Sequence, residues 1–297
     1  MLHKKDLLAL HQTLCDIHHF DREAIRLQRT GLISTYPSTQ GQEAVFLGAA
    51  AGISPEDVYI PYYRDTAALY WRGVSFYHLF RFWGGYSNGM SYPNNPNDYP
   101  ICITISTQIS HAVGVAMAYK HQNKKAIILV TMGDGATNKG QFFEGINMAI
   151  THRLPILFFI NNNQWAISTP LKQQGLLPPL DKAKGLGLNG EDIDGYDLLA
   201  VKDCVQHAKQ HILERELPYC IQATTYRTCD HTTADDAKRY QPKSERLAYI
   251  DHDPLTFFEQ KLISQGILST ETIKQHHTLA KQTIANASQQ YQTSTYS

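Results

Sequence analysis

The hydrophobic positions of the chain are most regular between residues 126 and 160. Residues 126–132 form an apolar run of strand length, which Gly133-Asp134-Gly135 breaks sharply. Between residues 141 and 150 the apolar positions recur at helical spacing, and a second apolar run, residues 156–160, ends in three asparagines. The pattern therefore predicts a buried strand, a helix and a second buried strand.

Two strands that one helix connects within a sheet run parallel with a right-handed crossover, so both end at the same edge. We expect Asp134 and the asparagines 161–163 to meet there, where open parallel sheets bind their ligands. Carboxylate and amide oxygens suit Mg²⁺ or Ca²⁺, and the flanking glycines allow a diphosphate to approach the backbone closely. The alternative is that these residues form only a tight turn and a polar loop.

The same residues carry a family resemblance. Gly133-Asp134-Gly135 with Asn162-Asn163 resembles the thiamine diphosphate motif. The continuation NNQWAISTP, residues 162–170, narrows the resemblance to one family of thiamine diphosphate enzymes. The chain resembles the alpha subunit of the decarboxylating component of 2-oxo acid dehydrogenase complexes, from about residue 28 to about residue 262. This resemblance implies an α/β fold of the thiamine diphosphate-binding type, with a mostly parallel sheet flanked by helices.

The resemblance also implies the ligands of a thiamine diphosphate and Mg²⁺ site. In the family, the motif aspartate, the second asparagine and the main-chain carbonyl two residues later hold magnesium. Here these groups belong to Asp134, Asn163 and Trp165. Further cofactor contacts are implied for the residues around the motif aspartate, namely Gly133, Gly135 and Ala136.

Two further segments contribute implied cofactor contacts. Tyr63-Arg64 follows a short predicted strand, where an arginine offers fork geometry for a phosphate, although a surface ion pair would be the ordinary role of such a residue. The resemblance assigns both residues to the cofactor. Residues 101–109 have a β-like pattern and precede a helix predicted to open at Ser110. By resemblance, Ile105 lies beneath the bend of the cofactor, and Ile103 makes the contact before it.

His231 lies in a polar loop, where a lone histidine is usually only solvated. It matches the family's pattern of a histidine, a hydroxyl residue and two acids, in a loop that closes over cofactor and substrate. The resemblance implies that His231 is the catalytic acid/base, with a pKa near the working pH. An ion pair between Arg227 and Asp235 is expected to order this loop.

Composition limits the partners, the compartment and the domain number of the protein. The 297 residues include 27 lysines and arginines and 27 acids, so no net charge attracts nucleic acid or an anionic membrane. Five cysteines without a CxxC pair, and a start broken by charges and histidines, favour a cytoplasmic protein. We expect one α/β domain over residues 1–297, with a helical N-terminal arm at 1–30 and a C-terminal helix and tail at 253–297.

The resemblance implies a function that needs partners. A beta subunit supplies the glutamate that activates the cofactor ring in this branch of thiamine enzymes, and an α2β2 assembly is expected. The reaction is decarboxylation of a 2-oxo acid and acyl transfer to the lipoyl group of a separate acyltransferase component. Pyruvate is the first choice of substrate, followed by branched-chain 2-oxo acids and acetoin. A non-catalytic scaffold remains the alternative, because Asn138-Lys139-Gly140 and the loop 83–100 depart from the family pattern.

Overall fold

A computed structural model describes residues 3–92 and 97–294 of the chain. Its centre is a five-stranded sheet in the order β1-β2-β3-β7-β6, in which every neighbouring pair is parallel. A separate antiparallel pair, β4 and β5, follows the third strand. The strands are β1 Val58–Ile60, β2 Ile128–Gly133, β3 Ile156–Asn162, β4 Trp165–Ala166, β5 Thr169–Pro170, β6 Asn189–Asp194 and β7 Tyr219–Thr224. The predicted fold class is confirmed.

Helices cover both faces of this sheet. None of those in the described ranges is both long and apolar enough to cross a membrane. The α-helices are α1 Lys4–Arg29, α2 Glu43–Ala51, α3 Thr66–Trp71, α4 Phe76–Trp83, α5 Thr107–His121, α6 Gly140–Thr151, α7 Leu171–Gln174, α8 Pro179–Gly185, α9 Leu198–Arg215, α10 Lys243–Ala248, α11 Pro254–Ser264 and α12 Thr270–Ser294.

Side chains along the central strands point alternately to the two faces of the sheet. Both sets are apolar because a helical layer covers each face. Leu129 and Phe159 belong to the core that α1, α2 and α9 close, whereas Val130 and Phe158 belong to the core beneath α5, α6 and α8. All four side chains are fully buried. A parallel sheet buried on both faces produces the continuous apolar runs seen in the sequence.

The predicted strand, helix and strand correspond to β2, α6 and β3. Their register pairs Gly133 with Asn161, the last paired position of the ladder between β2 and β3. Asp134 and Asn162 therefore leave the sheet at the same level of the same edge. The expected meeting of carboxylate and amide groups follows directly from this pairing.

The β-like prediction for residues 101–109 is wrong. Only Cys102 makes a β-bridge, to Tyr62, and α5 begins at Thr107 rather than at Ser110. Tertiary hydrogen bonds outweigh the β-propensity of the isoleucines here, because the hydroxyl of Ser106 donates to the carbonyl of Ala136 at 2.8 Å. Residues 93–96, within the predicted loop 83–100, lie outside the described residues.

The two ends of the chain pack together. The segment expected as an N-terminal arm is one continuous helix, α1, whose Leu10, Leu14 and Ile17 are buried in the core. The expected frayed tail is also a helix, α12, which packs against α1 and α4. Buried Ile284 on α12 explains why this polar segment does not fray within the described range.

A matched pair of glycine substitutions tests the packing of α5 against α6. A methyl group on Gly145 would lie 2.4 Å from Cγ2 of Ile109, whereas one on Gly114, in the exposed part of α5, meets nothing within 4 Å. We expect Gly145→Ala to lower the free energy of unfolding by about 1–3 kcal/mol through overpacking. Gly114→Ala should raise it by about 0.5–1 kcal/mol, because alanine favours a helix over glycine. Urea denaturation of both variants measures the difference, and equal effects would contradict the packing.

Candidate active site

A cavity of about 400 Å³ opens at the carboxyl edge of the sheet. Nearly all the residues proposed from the sequence line it: Tyr63, Arg64, Ile103, Ile105, Gly133, Asp134, Gly135, Asn163, Trp165 and His231. Ala136, a buried residue of the turn that follows β2, does not line this cavity. It lines a small neighbouring cavity with Tyr63, Ile105 and Gly133, and its carbonyl accepts a hydrogen bond from the hydroxyl of Ser106. The structure thus brings together residues from segments more than a hundred positions apart.

Asp134 is the buried carboxylate of the cavity. It begins a short 3-10 turn after β2, its exposed fraction is 1%, and its Oδ2 accepts a hydrogen bond of 2.6 Å from Nε2 of Gln174. Burial raises the pKa of this carboxyl, and the bond from Gln174 opposes the rise. No lysine or arginine in the described ranges forms an ion pair with Asp134. The charges of Arg227 and Arg64 also lower its pKa without direct contact, and a divalent cation in the cavity would place positive charge directly on the carboxylate.

The asparagines after β3 are held by one glutamine. Oε1 of Gln42, just before α2, accepts hydrogen bonds from Nδ2 of Asn161 at 2.7 Å and Nδ2 of Asn163 at 2.9 Å. These bonds use the amide nitrogen of Asn163 and fix which side of its amide is oxygen. Among the described residues, Oδ1 of Asn163 accepts a hydrogen bond only from the backbone N–H of Trp165, at 3.2 Å, so it retains acceptor capacity for a ligand.

Two arginines surround His231. Arg64 approaches Nδ1 of this ring to 3.1 Å and Arg227 approaches the same nitrogen to 3.2 Å. Because a guanidinium can only donate, Nδ1 is the acceptor and the proton of the neutral ring is on Nε2. Arg64 also donates to the carbonyls of Ser38 at 2.6 Å and His231 at 2.7 Å, and the ring of Tyr63 meets His231 edge-on.

The predicted ion pair between Arg227 and Asp235 is not formed. Arg227 donates instead to Tyr240 Oη at 2.9 Å and to the carbonyls of Trp165 and Ile167. Tyr240 in turn donates to Asp235, which also accepts the backbone N–H of His231 at 2.8 Å. The fully buried guanidinium is satisfied by neutral oxygens, and a tyrosine hydroxyl links it to the carboxylate. The loop is ordered as expected, by a different set of bonds.

Comparison with known proteins identifies the family of this chain. The family model of the dehydrogenase E1 component matches residues 13–296. The chain belongs to the dehydrogenase E1 component family. Similar curated proteins are named pyruvate dehydrogenase E1 component subunit alpha. The one from Acholeplasma laidlawii is 34% identical over 92% of this chain and 80% of its own length. One from Staphylococcus aureus is 35% identical over 89% of this chain and 72% of its own length. One from Bacillus cereus is 35% identical over 91% of this chain and 74% of its own length.

Membership of the family confirms the resemblance drawn from the sequence. It also extends it, because the matched range 13–296 includes most of α1 and all of α12 in addition to the predicted range of about 28 to 262. These two helices pack on each other, so the range that matches the family includes the packed pair α1 and α12. The roles of the individual cavity residues stay predictions.

Sequence reasoning missed two glutamines that position cavity residues. Gln42 orients Asn163 from 121 positions away along the chain, and Gln174 contacts Asp134 from 40 positions away. Gln42 immediately precedes α2, and no local pattern in the sequence indicates its contact with Asn163. Gln174 carries no sequence signal, because it lies in the short helix α7 and reaches Asp134 only after the hairpin of β4 and β5 folds back.

The pKa expected for His231 near the working pH is wrong for this chain. Burial, then the positive charges of Arg64 and Arg227, lower the pKa of His231 to about 3, and the charge of Asp235 opposes them only weakly. The ring is therefore neutral at pH 7. It can donate from Nε2 and accept at Nδ1 without carrying charge.

The pH dependence of stability tests this assignment. The folded-state pKa of His231 lies below its ordinary value of 6.5, so the unfolded chain binds more protons between about pH 3 and 6.5. Stability then rises with pH through this window and levels off above it. His231→Gln should reduce the slope by at most about 1.4 kcal/mol per pH unit, a ceiling because the ring is partly exposed.

Urea unfolding of both proteins between pH 7 and pH 4 measures the slopes. Other buried histidines contribute equally to both proteins, including His19, whose pKa burial and neighbouring cations lower to about 4, so the difference between the slopes reports on His231. The control is His121→Gln on the exposed end of α5. Slopes that are identical in wild type and His231→Gln would rule out the depressed pKa.

Proposed function

We propose that this chain is the alpha subunit of a thiamine diphosphate-dependent pyruvate dehydrogenase. It takes part in the oxidative decarboxylation of pyruvate and in acyl transfer to a lipoyl group on a separate acyltransferase component. The observation that carries the proposal is the convergence of Asp134, Asn163, Arg64 and His231 on one cavity in a chain of this family. The names of the relatives support pyruvate as the substrate. The five free cysteines fit a cytoplasmic protein.

The cavity has the donor set that a magnesium diphosphate requires. Asp134, Oδ1 of Asn163 and the carbonyl of Trp165 are the oxygens assigned to Mg²⁺, which prefers a few protein oxygens beside phosphate oxygens. The burial of Asp134, which forms no ion pair with a lysine or arginine of the described ranges, supports this assignment. Gly135 keeps the turn close to Ala166, since a methyl group on it would lie 2.8 Å from Cβ of Ala166.

Other residues orient the coenzyme and the substrate. When bound, thiamine diphosphate supplies a nucleophilic thiazolium carbon and an electron sink for decarboxylation. Arg64 carries a fixed positive charge at the cavity and attracts anionic groups. Ile105, which is 39% exposed, offers an apolar surface on which a bent coenzyme rests. His231 presents a neutral Nε2–H that can donate a hydrogen bond to the substrate, because its Nδ1 already accepts from Arg64 and Arg227.

A beta subunit completes the site in this proposal. Ile103 and Ile167 line the cavity and are 53% and 55% exposed, so apolar surface surrounds its opening. A partner that covers these side chains would exclude water from the reaction. The partner also supplies the acidic side chain that activates the coenzyme ring, in an α2β2 assembly with two cofactors at the interfaces between subunits.

Reconstitution tests the function. The chain is co-expressed with a beta subunit of the dehydrogenase E1 component and supplied with thiamine diphosphate, Mg²⁺ and a lipoylated acyltransferase domain. We expect turnover of pyruvate with a kcat/KM at least about tenfold above those of branched-chain 2-oxo acids and acetoin, a preference of about 1.4 kcal/mol. Preference for a branched substrate would change the substrate assignment. No turnover of any 2-oxo acid by a correctly assembled complex would favour a scaffold.

Asp134→Asn tests the metal assignment. The substitution keeps the shape of the side chain and removes its charge, so we expect Mg²⁺-dependent binding of thiamine diphosphate to weaken by at least about 100-fold. Isothermal calorimetry on the assembled complex measures this affinity. Asp181→Asn, at an exposed position in α8, is the matched control and should bind normally. Unchanged affinity in Asp134→Asn would refute the assignment.

A further inference from the structure

A second group of reactive side chains lies outside the cavity, where α1, α11 and α12 meet. His11 and Cys15 are one helical turn apart on α1, and Glu259 is on α11. His276 and His277 follow each other on α12. None of these five residues lines the cavity. They join the beginning of the chain to its end, and the proposed function leaves them without a role.

The first three residues have the spacing of metal ligands. Nε2 of His11 lies 3.1 Å from Oε1 of Glu259 and 3.7 Å from Sγ of Cys15. All three atoms are within 4.8 Å of one another. Ligand bonds of about 2.0–2.3 Å in tetrahedral geometry place the ligand atoms of a zinc site roughly 3.3–3.8 Å apart. Small side-chain adjustments therefore suffice to enclose an ion.

A neighbouring histidine holds each imidazole through its second nitrogen. Nδ1 of His11 is 2.7 Å from Nδ1 of His276, and the two nitrogens share one proton. When that proton is on Nδ1 of His11, Nε2 of the same ring has a free lone pair directed at Glu259 and Cys15. Nδ1 of His277 is similarly 3.1 Å from Nε2 of His19, which leaves Nε2 of His277 at 3.6 Å from Glu259. Metal-binding histidines are commonly oriented in this way by a partner on the other nitrogen.

Burial and access fit a metal site. His11 and Cys15 are fully buried, whereas the side chains of Glu259 and His277 are 17% and 30% exposed, so the group reaches the surface on one side. In the described part of the chain, the carboxylate of Glu259 faces histidine rings rather than a lysine or an arginine. A bound cation would neutralise this half-buried charge, and the thiol would lose its proton to become a ligand.

We propose that His11, Cys15 and Glu259 form a transition-metal site of the zinc type, with His277 or a water molecule as the fourth ligand. A sulfur and an imidazole ligand favour Zn²⁺ over Mg²⁺, in contrast to the oxygen ligands of the cavity. The ion would connect α1 to α11, and also to α12 where His277 is the fourth ligand. The role of the site is structural, and it does not depend on the proposed function.

Cobalt substitution tests the site. The full-length chain is stripped with a chelator and titrated with Co²⁺ in the absence of thiamine diphosphate. We expect about one Co²⁺ per chain with a sulfur-to-cobalt charge-transfer band, which Zn²⁺ removes by displacement. Zn²⁺ should also raise the melting temperature. Cobalt bound by the oxygen ligands of the cavity gives no such band, so the two sites are distinguishable.

Variants separate ligands from neighbours. Cys15→Ser should remove the charge-transfer band and weaken Zn²⁺ binding by more than about 100-fold. His276→Gln keeps the thiolate and its band, and should weaken Zn²⁺ binding by only about 10–100-fold. Cys204→Ser, a buried thiol on α9, is the matched control and should bind normally. If Cys15→Ser does not fold, Glu259→Gln is used, which should retain the band and lose affinity.

Three results would overturn the site. The first is a wild-type chain that shows no charge-transfer band with Co²⁺. The second is a band that persists in Cys15→Ser, since another thiol would then be the ligand. The third is a thermal shift with Zn²⁺ that is equal in wild type and Glu259→Gln. Each would leave the residues as a hydrogen-bonded histidine network without a metal.

Discussion

The parallel pairing of β2 with β3 is the constraint on which the candidate site depends. Because Gly133 pairs with Asn161, Asp134 and Asn162 leave the sheet at the same level, and Asn163 follows directly, although it lies 29 positions after Asp134 in sequence. A shift of one residue would turn every side chain of β3 to the opposite face of the sheet. The alternating burial of these strands in two helical layers makes such a shift prohibitive, so the core fixes the geometry of the site.

The polar groups around the cavity are buried, and their order comes from internal partners. Arg64 and Arg227 donate to main-chain carbonyls, and Gln42 holds two asparagine amides at one oxygen. In each of these bonds, both the donor and the acceptor are atoms of the protein. These bonds restrict the motion of the side chains that they join, although Nε2 of Gln42 itself has no hydrogen-bond partner among the described residues. The acceptor oxygens of Asp134 and Asn163 are therefore oriented before any ligand binds.

The sequence predicted the parts of this arrangement that are local. Asp134 and the asparagines follow their strands directly, so periodicity and the crossover rule were enough to place them at one edge. Gln42 was missed because its contact depends on how α2 approaches the sheet. The pKa of His231 was misjudged because Arg227 was expected to pair with Asp235 rather than to contact the ring, and because Arg64, which also contacts the ring, is distant in sequence. Residues 101–109 failed because tertiary hydrogen bonds decided a segment that intrinsic propensity assigns to a strand.

Helix α1 connects the outer helices to the cavity. Asp21, on this helix, accepts hydrogen bonds from Tyr36, Ser38 and the backbone of Thr39. The carbonyl of Ser38 then accepts from Arg64, which binds the backbone of the His231 loop. Displacement of α1 would release this whole series of bonds, because each member is held by the one before it. Contacts between α1 and the C-terminal helices, far from the chemistry, thus help to fix the positions of the residues that surround the cavity.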